Sequence, residues 1–179
     1  MEFEEKTIAT KEIYAGKIIK VRYDEVIIPG GKKSGREIVE HPGGVTIIAV
    51  TDEEKILMVE QYRKPAEENL LELPAGKLEE DEEPIICAER ELIEETGYQA
   101  GKIGHLFSFY TTPGFSNEVL HLYFATNLEE VGVAPDEDEI IKIQYLEKED
   151  ILPFINSGKI KDSKTIIGLL YYLVGDMNV

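Results

Sequence analysis

Apolar and polar residues alternate from Ile18 to Ile28, in IIKVRYDEVII, with the period-two pattern of a half-buried strand. The segment after it, PGGKKSGRE (residues 29–37), is turn material, rich in glycine and polar residues. GGVTIIAVT (43–51) is almost continuously apolar, which predicts a central strand buried on both faces. KILMVEQY (55–62) follows as a second strand, and DEE between them reads as a hairpin turn. From Pro84 to about Thr96 the pattern changes to a helical one. Pro84 suits the first turn, and Gly97 suits the C-terminal cap. KIGHLFSFY (102–110), EVLHLYFATN (118–127) and EIIKIQYLE (139–147) predict three more strands. A short helix is expected over Lys148–Asn156, against the objection of Pro153. The last element, DSKTIIGLLYYLV (162–174), is a helix capped by Asp162 or Ser163, with Ile166, Ile167, Leu170 and Leu173 facing the core.

Strands with helices before and after them predict an α/β fold with a mixed sheet between helical layers. Residues 1–42 precede any helix and read as a strand-rich arm, leaving 43–179 as the main domain. The length of 179 residues suits this organisation, and 42% hydrophobic content suffices for a core. No stretch reaches the ~18 apolar residues of a membrane span, and MEFEEKTIAT is not a secretory signal. A single cysteine, Cys87, leaves no intrachain disulfide, so a cytoplasmic location is expected. The net charge of −17 argues against nucleic acid or an anionic membrane as partner. His41, His105 and His121 show no zinc spacing, and no serine stands in a nucleophile elbow.

The charge gathers most pointedly on the first helix. Glu91, Glu94 and Glu95 stand at i, i+3 and i+4, on one face beside an apolar stripe of Ile85, Ala88 and Leu92. Like charges at this spacing destabilise a helix by about 0.2–0.5 kcal/mol a pair, and acids in the last turns oppose the dipole. Arg90 supplies one counter-charge, to Glu94 four residues on. A hard divalent cation held by carboxylate oxygens would offset the rest; a merely solvated face is the alternative. The earlier acids, Glu79 to Glu83, lie where the dipole favours them and read as a solvated loop.

Gly76, then five residues, Glu82, then seven, then RELIEETGY resembles the Nudix box, Gx5Ex7REUxEExGU, with Leu92 and Tyr98 at the apolar U positions. The resemblance implies an α/β/α sandwich and hydrolysis of a nucleoside diphosphate linked to a further moiety, with Mg²⁺, or alternatively Mn²⁺. It implies that Glu91 and Glu95 are the main metal ligands and that Glu94 adds a ligand or a bridging contact, held by Arg90. The backbone carbonyl of Ala75 also takes a place in that metal set. Gly76 lets the chain turn close to the cations, and Glu82 has a structural role.

EQYRKPAEENLLELPAG before the box resembles the ADP-ribose pyrophosphatase branch of that family. So do SFYTTPGFSNE after it, with Pro113 fifteen residues past Tyr98, GREIVEHPGGV (35–45), and DSKTIIGLL near the end. Within that branch Arg63 is expected to reach phosphate oxygens, with a surface ion pair as the alternative. Arg36 resembles a substrate-contacting arginine of the arm, Glu118 is a candidate for a ribose hydroxyl, and Tyr23 for an adenine platform. In the acidic segment APDEDEI (134–140), Glu137 and Glu139 are candidates for general base and extra metal ligand, in that order of preference. The implied reaction converts ADP-ribose to AMP and ribose 5-phosphate. Another NDP-linked substrate, or a non-catalytic nucleotide sensor, remains the alternative, although the intact REx2EE set argues against a sensor. The arm has few residues for a core of its own and resembles an exchanging dimerisation arm, so a homodimer is expected.

Overall fold

The computed structural model describes residues 3–132 and 140–177, and the chain divides into two compact units. The first comprises Met1–Gly43 with Tyr110–Val119. It is an antiparallel sheet of β1 (Lys6–Ala15), β2 (Lys20–Ile27) and β3 (Lys33–Glu40), in that order. The turn expected over residues 29–37 is shorter than its composition suggests. Gly30 and Gly31 take φ of +92° and +83°, where a side chain is strained, and β3 starts at Lys33. Ser34 to Glu37 then pair with β2 in unbroken register, so backbone pairing overrides a polar sequence with no period-two signal. The segment 110–119 is tied to β3. The Val39 amide donates to the Phe115 carbonyl (2.8 Å), the Asn117 amide to the Val39 carbonyl (3.3 Å), and the His41 amide to Asn117 Oδ1 (2.9 Å). All ten residues of β1 are exposed.

The second unit, Gly44–Phe109 with Leu120–Val179, holds the remaining elements. These are β4 (Gly44–Ala49), β5 (Ile56–Arg63), β6 (Glu68–Glu72), β7 (Ala75–Lys77), α1 (Pro84–Thr96), β8 (Tyr98–Tyr110) and β9 (Val119–Glu130). They are followed by β10 (Ile141–Leu146), a 3₁₀ turn at Lys148–Asp150, α2 (Ile151–Asn156) and α3 (Ser163–Val174). One sheet runs β7-β4-β9-β8, with β4 parallel to β9 and antiparallel to β7. A second, antiparallel sheet runs β10-β5-β6. All six residues of β4 are buried, as its continuous apolar run requires.

Alternation along β4 sends its side chains to two separate cores. Val45, Ile47 and Ala49 pack with Cys87, Ala88 and Leu92 of α1. Ile48 packs with Leu122, Ile151 of α2 and Leu169 of α3. Helices thus cover both faces of a mixed sheet, as the sequence pattern predicts, in the α/β/α sandwich that the resemblance implies. Pro84 opens α1, and Gly97 closes it at φ 73°, donating its N–H to the Ile93 carbonyl.

The buried stripe of α3 matches the expected one in part: Ile166 and Leu173 pack against the core as expected. Thr165, Gly168 and Leu169 face the core and Leu170 is 39% exposed. The reason is polar and steric together. Thr165 Oγ1 accepts the Leu73 N–H (2.9 Å), and Gly168 lets the helix approach until an added Cβ would lie 2.6 Å from Leu73 Cδ1. Those two contacts seat the Thr165–Gly168 face against the core, and Leu170 falls outside it.

Candidate active site

The strand-to-helix connection after β6 brings the acidic face of α1 against a bare backbone. Gly76 lies so close to Glu91 that a Cβ there would sit 1.8 Å from the carboxylate carbon. One residue earlier, the Ala75 N–H donates to Glu95 Oε2 (2.8 Å), and Gln61 Nε2 on β5 stands 3.4 Å from Glu95 Oε1. Glu95 is 3% exposed, so these backbone and amide donors, rather than water, satisfy much of its carboxylate.

Arg90 is the hub for the other acids. Its Nε and Nη2 donate to Glu82 (2.9 and 3.0 Å), and its Nη1 donates to both Glu91 and Glu94 (2.8 Å each). The expected i,i+4 pair with Glu94 is therefore one of four bonds to carboxylates. The paired guanidinium holds the Glu82 carboxyl at about 2, and the Glu82 hydrogen bonds in turn raise the Arg90 pKa. Glu82 also accepts the Glu79 N–H (2.9 Å), which closes the loop before α1. Cys87 sits beneath this hub and is fully buried. Burial, followed by the charge of Glu82, pushes its thiol up to about 12, which makes it a poor nucleophile.

Among the described residues, no three His, Cys, Asp or Glu side chains converge closely enough to hold a metal ion. Arg90 draws Glu91 and Glu94 to itself while Ala75 draws Glu95, so the carboxylates are divided between two sets of donors. The donor chemistry nevertheless fits a hard divalent cation. Two carboxylates, Glu91 and Glu95, reach the same Ala75–Gly76 backbone, and the missing side chain at Gly76 is what makes room for the Glu91 carboxylate there.

Arg63, at the end of β5, makes a two-point contact with Glu72 through Nε and Nη2, both 2.8 Å. Glu72 is 1% exposed and also receives Lys164. Burial raises the Glu72 pKa, but the Arg63 hydrogen bonds and the Lys164 charge outweigh it and leave the group lowered. The surface ion pair weighed for Arg63 is thus real in form, but its acid is a buried one. Sequence reasoning passed over Gln61, Glu72 and Lys164. A signal was present for two of them: Glu72 is an acid in the apolar run LLEL, and Lys164 is a cation in the first turn of a helix.

The arm candidates lie in the first unit. Arg36 pairs with Glu5 (2.5 and 2.8 Å) and, in register opposite Asp24, points to one face of the sheet. Tyr23, opposite Glu37, points to the other. The Tyr23 hydroxyl lies across Gly35, 2.0 Å from where a Cβ would be, so packing accounts for part of its role. Tyr23 also lines a groove of about 720 Å³ with Ile13, Val21, Val39 and Phe115. Glu118 accepts the Thr111 hydroxyl (2.6 Å) and lies 3.3 Å from His41 Nδ1. That nitrogen also accepts the Gly43 N–H, so the Glu118 contact is an ion pair only when His41 is protonated. Glu137 and Glu139 lie outside the described residues.

A NUDIX domain family profile matches residues 40–165. The chain belongs to the Nudix family. Over 171 residues this Nudix chain is 49% identical to the methanol dehydrogenase activator of Bacillus methanolicus, covering 94% of this chain and 92% of that one. Over 170 residues it is 48% identical to the ADP-ribose pyrophosphatase of Bacillus subtilis (strain 168), with the same two coverages. A crystal structure of an ADP compounds hydrolase superposes with a TM-score of 0.85 over 95% of this chain and 92% of that one. At 16% identity the likeness is one of fold.

Proposed function

We propose that this Nudix protein hydrolyses the pyrophosphate of ADP-ribose, giving AMP and ribose 5-phosphate, with Mg²⁺ as its cation and Mn²⁺ as the alternative. The observation that carries the reading is the 48% identity, over 94% of the chain, to an ADP-ribose pyrophosphatase. The carboxylate face set against Ala75 and Gly76 supports it.

Glu91 and Glu95, with the Ala75 carbonyl, would hold the cation, and Glu94 would join them. Bound there, a divalent cation polarises phosphoryl oxygens and makes the attacking water more acidic. Arg90 keeps Glu91 and Glu94 on one side of α1 and compensates their repulsion before substrate arrives. Arg63 binds phosphate oxygens with the part of its guanidinium that Glu72 leaves uncovered. Arg36, Glu118 and Tyr23 recognise the nucleoside and ribose ends. One of Glu137 and Glu139 takes the proton from water and the other completes the cation's ligands. The assembly is a homodimer formed through the arm. A fully exposed β1 at a sheet edge, with Ile13, Tyr14 and Phe115 each 56% exposed in the same unit, supports that arrangement.

The test is a panel of ADP-ribose, other ADP-sugars, GDP-mannose and dinucleotides with Mg²⁺, read by product identity and repeated after chelation. AMP and ribose 5-phosphate from ADP-ribose alone support the reading. Preference for another member of the panel, or no turnover of any, overturns it. A second reading is favoured by the 49% identity to a methanol dehydrogenase activator: the same hydrolytic site serves a dehydrogenase partner. Stimulation of a methanol dehydrogenase by the unmodified chain, lost in Glu95→Gln, is its expected outcome.

A further inference from the structure

A lysine in the first turn of a helix is opposed by the helix dipole, yet α3 begins Ser163-Lys164-Thr165. Lys164 is compensated by two acids. It donates to Asp162 (3.0 Å) and to Glu72, which is almost wholly buried. Glu72 is therefore a carboxylate with two cations, Lys164 and Arg63. Its Oε1 takes the Arg63 Nε, and its Oε2 is shared between Arg63 Nη2 and Lys164 Nζ. The Nη1 of Arg63 takes no part in the Glu72 contact, and the charges of Glu95 and Asp162 both bear on the guanidinium.

The surroundings keep Glu72 in place. Asp162 accepts the Thr165 N–H (3.0 Å) and hydroxyl (2.6 Å), and Thr165 Oγ1 accepts the N–H of Leu73 (2.9 Å). One helical turn thus fixes both the cation at Glu72 and the backbone next to it. The strand cannot slide toward Arg63 without breaking a buried hydrogen bond.

We propose that Lys164 is a positioning residue for Arg63: by taking a share of Glu72, it keeps the Arg63 charge available to an anionic oxygen of the substrate. Without Lys164, Glu72 and Arg63 form a closed pair with no net charge, and a phosphate oxygen has less to gain from the guanidinium. This inference rests on the assignment of Arg63 to phosphate binding.

The experiment compares Lys164→Met, Lys164→Arg, Arg63→Ala and the Lys164→Met/Arg63→Ala double variant on ADP-ribose, with thermal midpoints as a check on folding. Lys164→Met is expected to raise KM about tenfold with kcat within about twofold, the pattern of lost uniform binding. Lys164→Arg restores KM, and in the Arg63→Ala background Lys164→Met adds nothing. An unchanged KM, or a tenfold loss that persists without Arg63, overturns the proposal. A second readout needs no substrate. The Arg63 Nε–H resonance in a ¹H–¹⁵N spectrum shifts and exchanges more slowly in Lys164→Met, as Glu72 closes on Arg63. An unmoved resonance overturns the positioning. Failure of the unmodified protein to turn over ADP-ribose overturns the substrate assignment and leaves the resonance test standing.

Discussion

Gly76→Ala separates the proposed catalytic use of the Gly76–Glu91 contact from its contribution to folding. The backbone at Gly76 is not in the left-handed region, so alanine introduces no φ strain. The new Cβ would lie 1.8, 1.9 and 2.3 Å from the Glu91 carboxylate carbon and its two oxygens. To reach ordinary contact at 3.4 Å, the carboxylate carbon has to retreat by about 1.6 Å. Glu91 can do so because the clash falls on the far end of a flexible side chain. The folding penalty is then mainly the weakened bond from Arg90. A charge-assisted hydrogen bond is worth about 1.5–3 kcal/mol, and about 1 kcal/mol is expected after allowance for the 26% exposure of Arg90 and its remaining bonds to Glu82 and Glu94. At this chain length that corresponds to a fall of roughly 2–4 °C in Tm. A misplacement of 1 Å can lower turnover by about 10², so kcat/KM should fall at least that far. Gly44→Ala is the contrasting variant. Its Cβ would meet the Gly76 carbonyl oxygen at 2.4 Å, backbone that cannot swing aside, so its Tm should fall further. Calorimetry and initial rates on ADP-ribose with Mg²⁺ decide the matter. Gly76→Ala with more than about a third of the wild-type kcat/KM refutes the reasoning, as does a Tm loss larger than that of Gly44→Ala.

Glu95→Gln should keep the fold, because an amide oxygen can still accept the Ala75 N–H, and should lose activity by orders of magnitude. Near-normal turnover at saturating Mg²⁺ would remove Glu95 from the cation site. At least one of Glu137→Gln and Glu139→Gln should lower kcat by about 10²–10⁴ with little change in KM or Tm. Wild-type kcat in both would leave the base to Glu94 or to a metal-bound hydroxide alone. Glu82 titrates at about 2 instead of its ordinary 4.5, so its contribution is complete above about pH 4.5 and fades as the pH falls toward 2. Glu82→Gln should flatten that part of an acid-denaturation curve, and an unchanged slope would contradict the pairing with Arg90. Light scattering should give twice the chain mass of 20.2 kDa, and a fully active monomer at micromolar concentration would count against the arm as an interface.

Much of the second unit was legible in the sequence because its elements carry one-dimensional signals. β4 is continuously apolar, and α1 is bounded by Pro84 and Gly97, so periodicity and caps were enough. β3 was not legible in its first half, because the strand is held by its ladder with β2 and its side chains carry no alternation. The short strands β6 and β7 went unread for a similar reason, being defined by partners far away in the chain. At the candidate site, the spacing of Glu91, Glu94, Glu95 and Arg90 put them on one helix face. The close seating of the Glu91 carboxylate on Gly76, and the sharing of Glu72 between residues 63 and 164, depend on tertiary approach and leave only faint marks in the order of residues. The apolar stripe of α3 was informative in part: Ile166 and Leu173 pack against the core, while Leu170 is exposed. Thr165 was missed because its hydroxyl bonds the buried Leu73 N–H, a contact that apolar periodicity does not register.

Cys87, the one thiol of the chain, is fully buried between α1 and the sheet and titrates near 12. Thiol-reactive reagents attack the thiolate, so the native molecule should be nearly silent to them at neutral pH. Modification then has to wait until α1 lifts from the sheet. In the regime where reclosing outpaces reaction, the labelling rate reports the free energy of that opening. The chain thus carries an intrinsic gauge of how firmly its acidic helix is seated, readable with no substrate and no engineered probe. Substrate and Mg²⁺ that bind only the seated helix should slow the labelling in proportion to their occupancy.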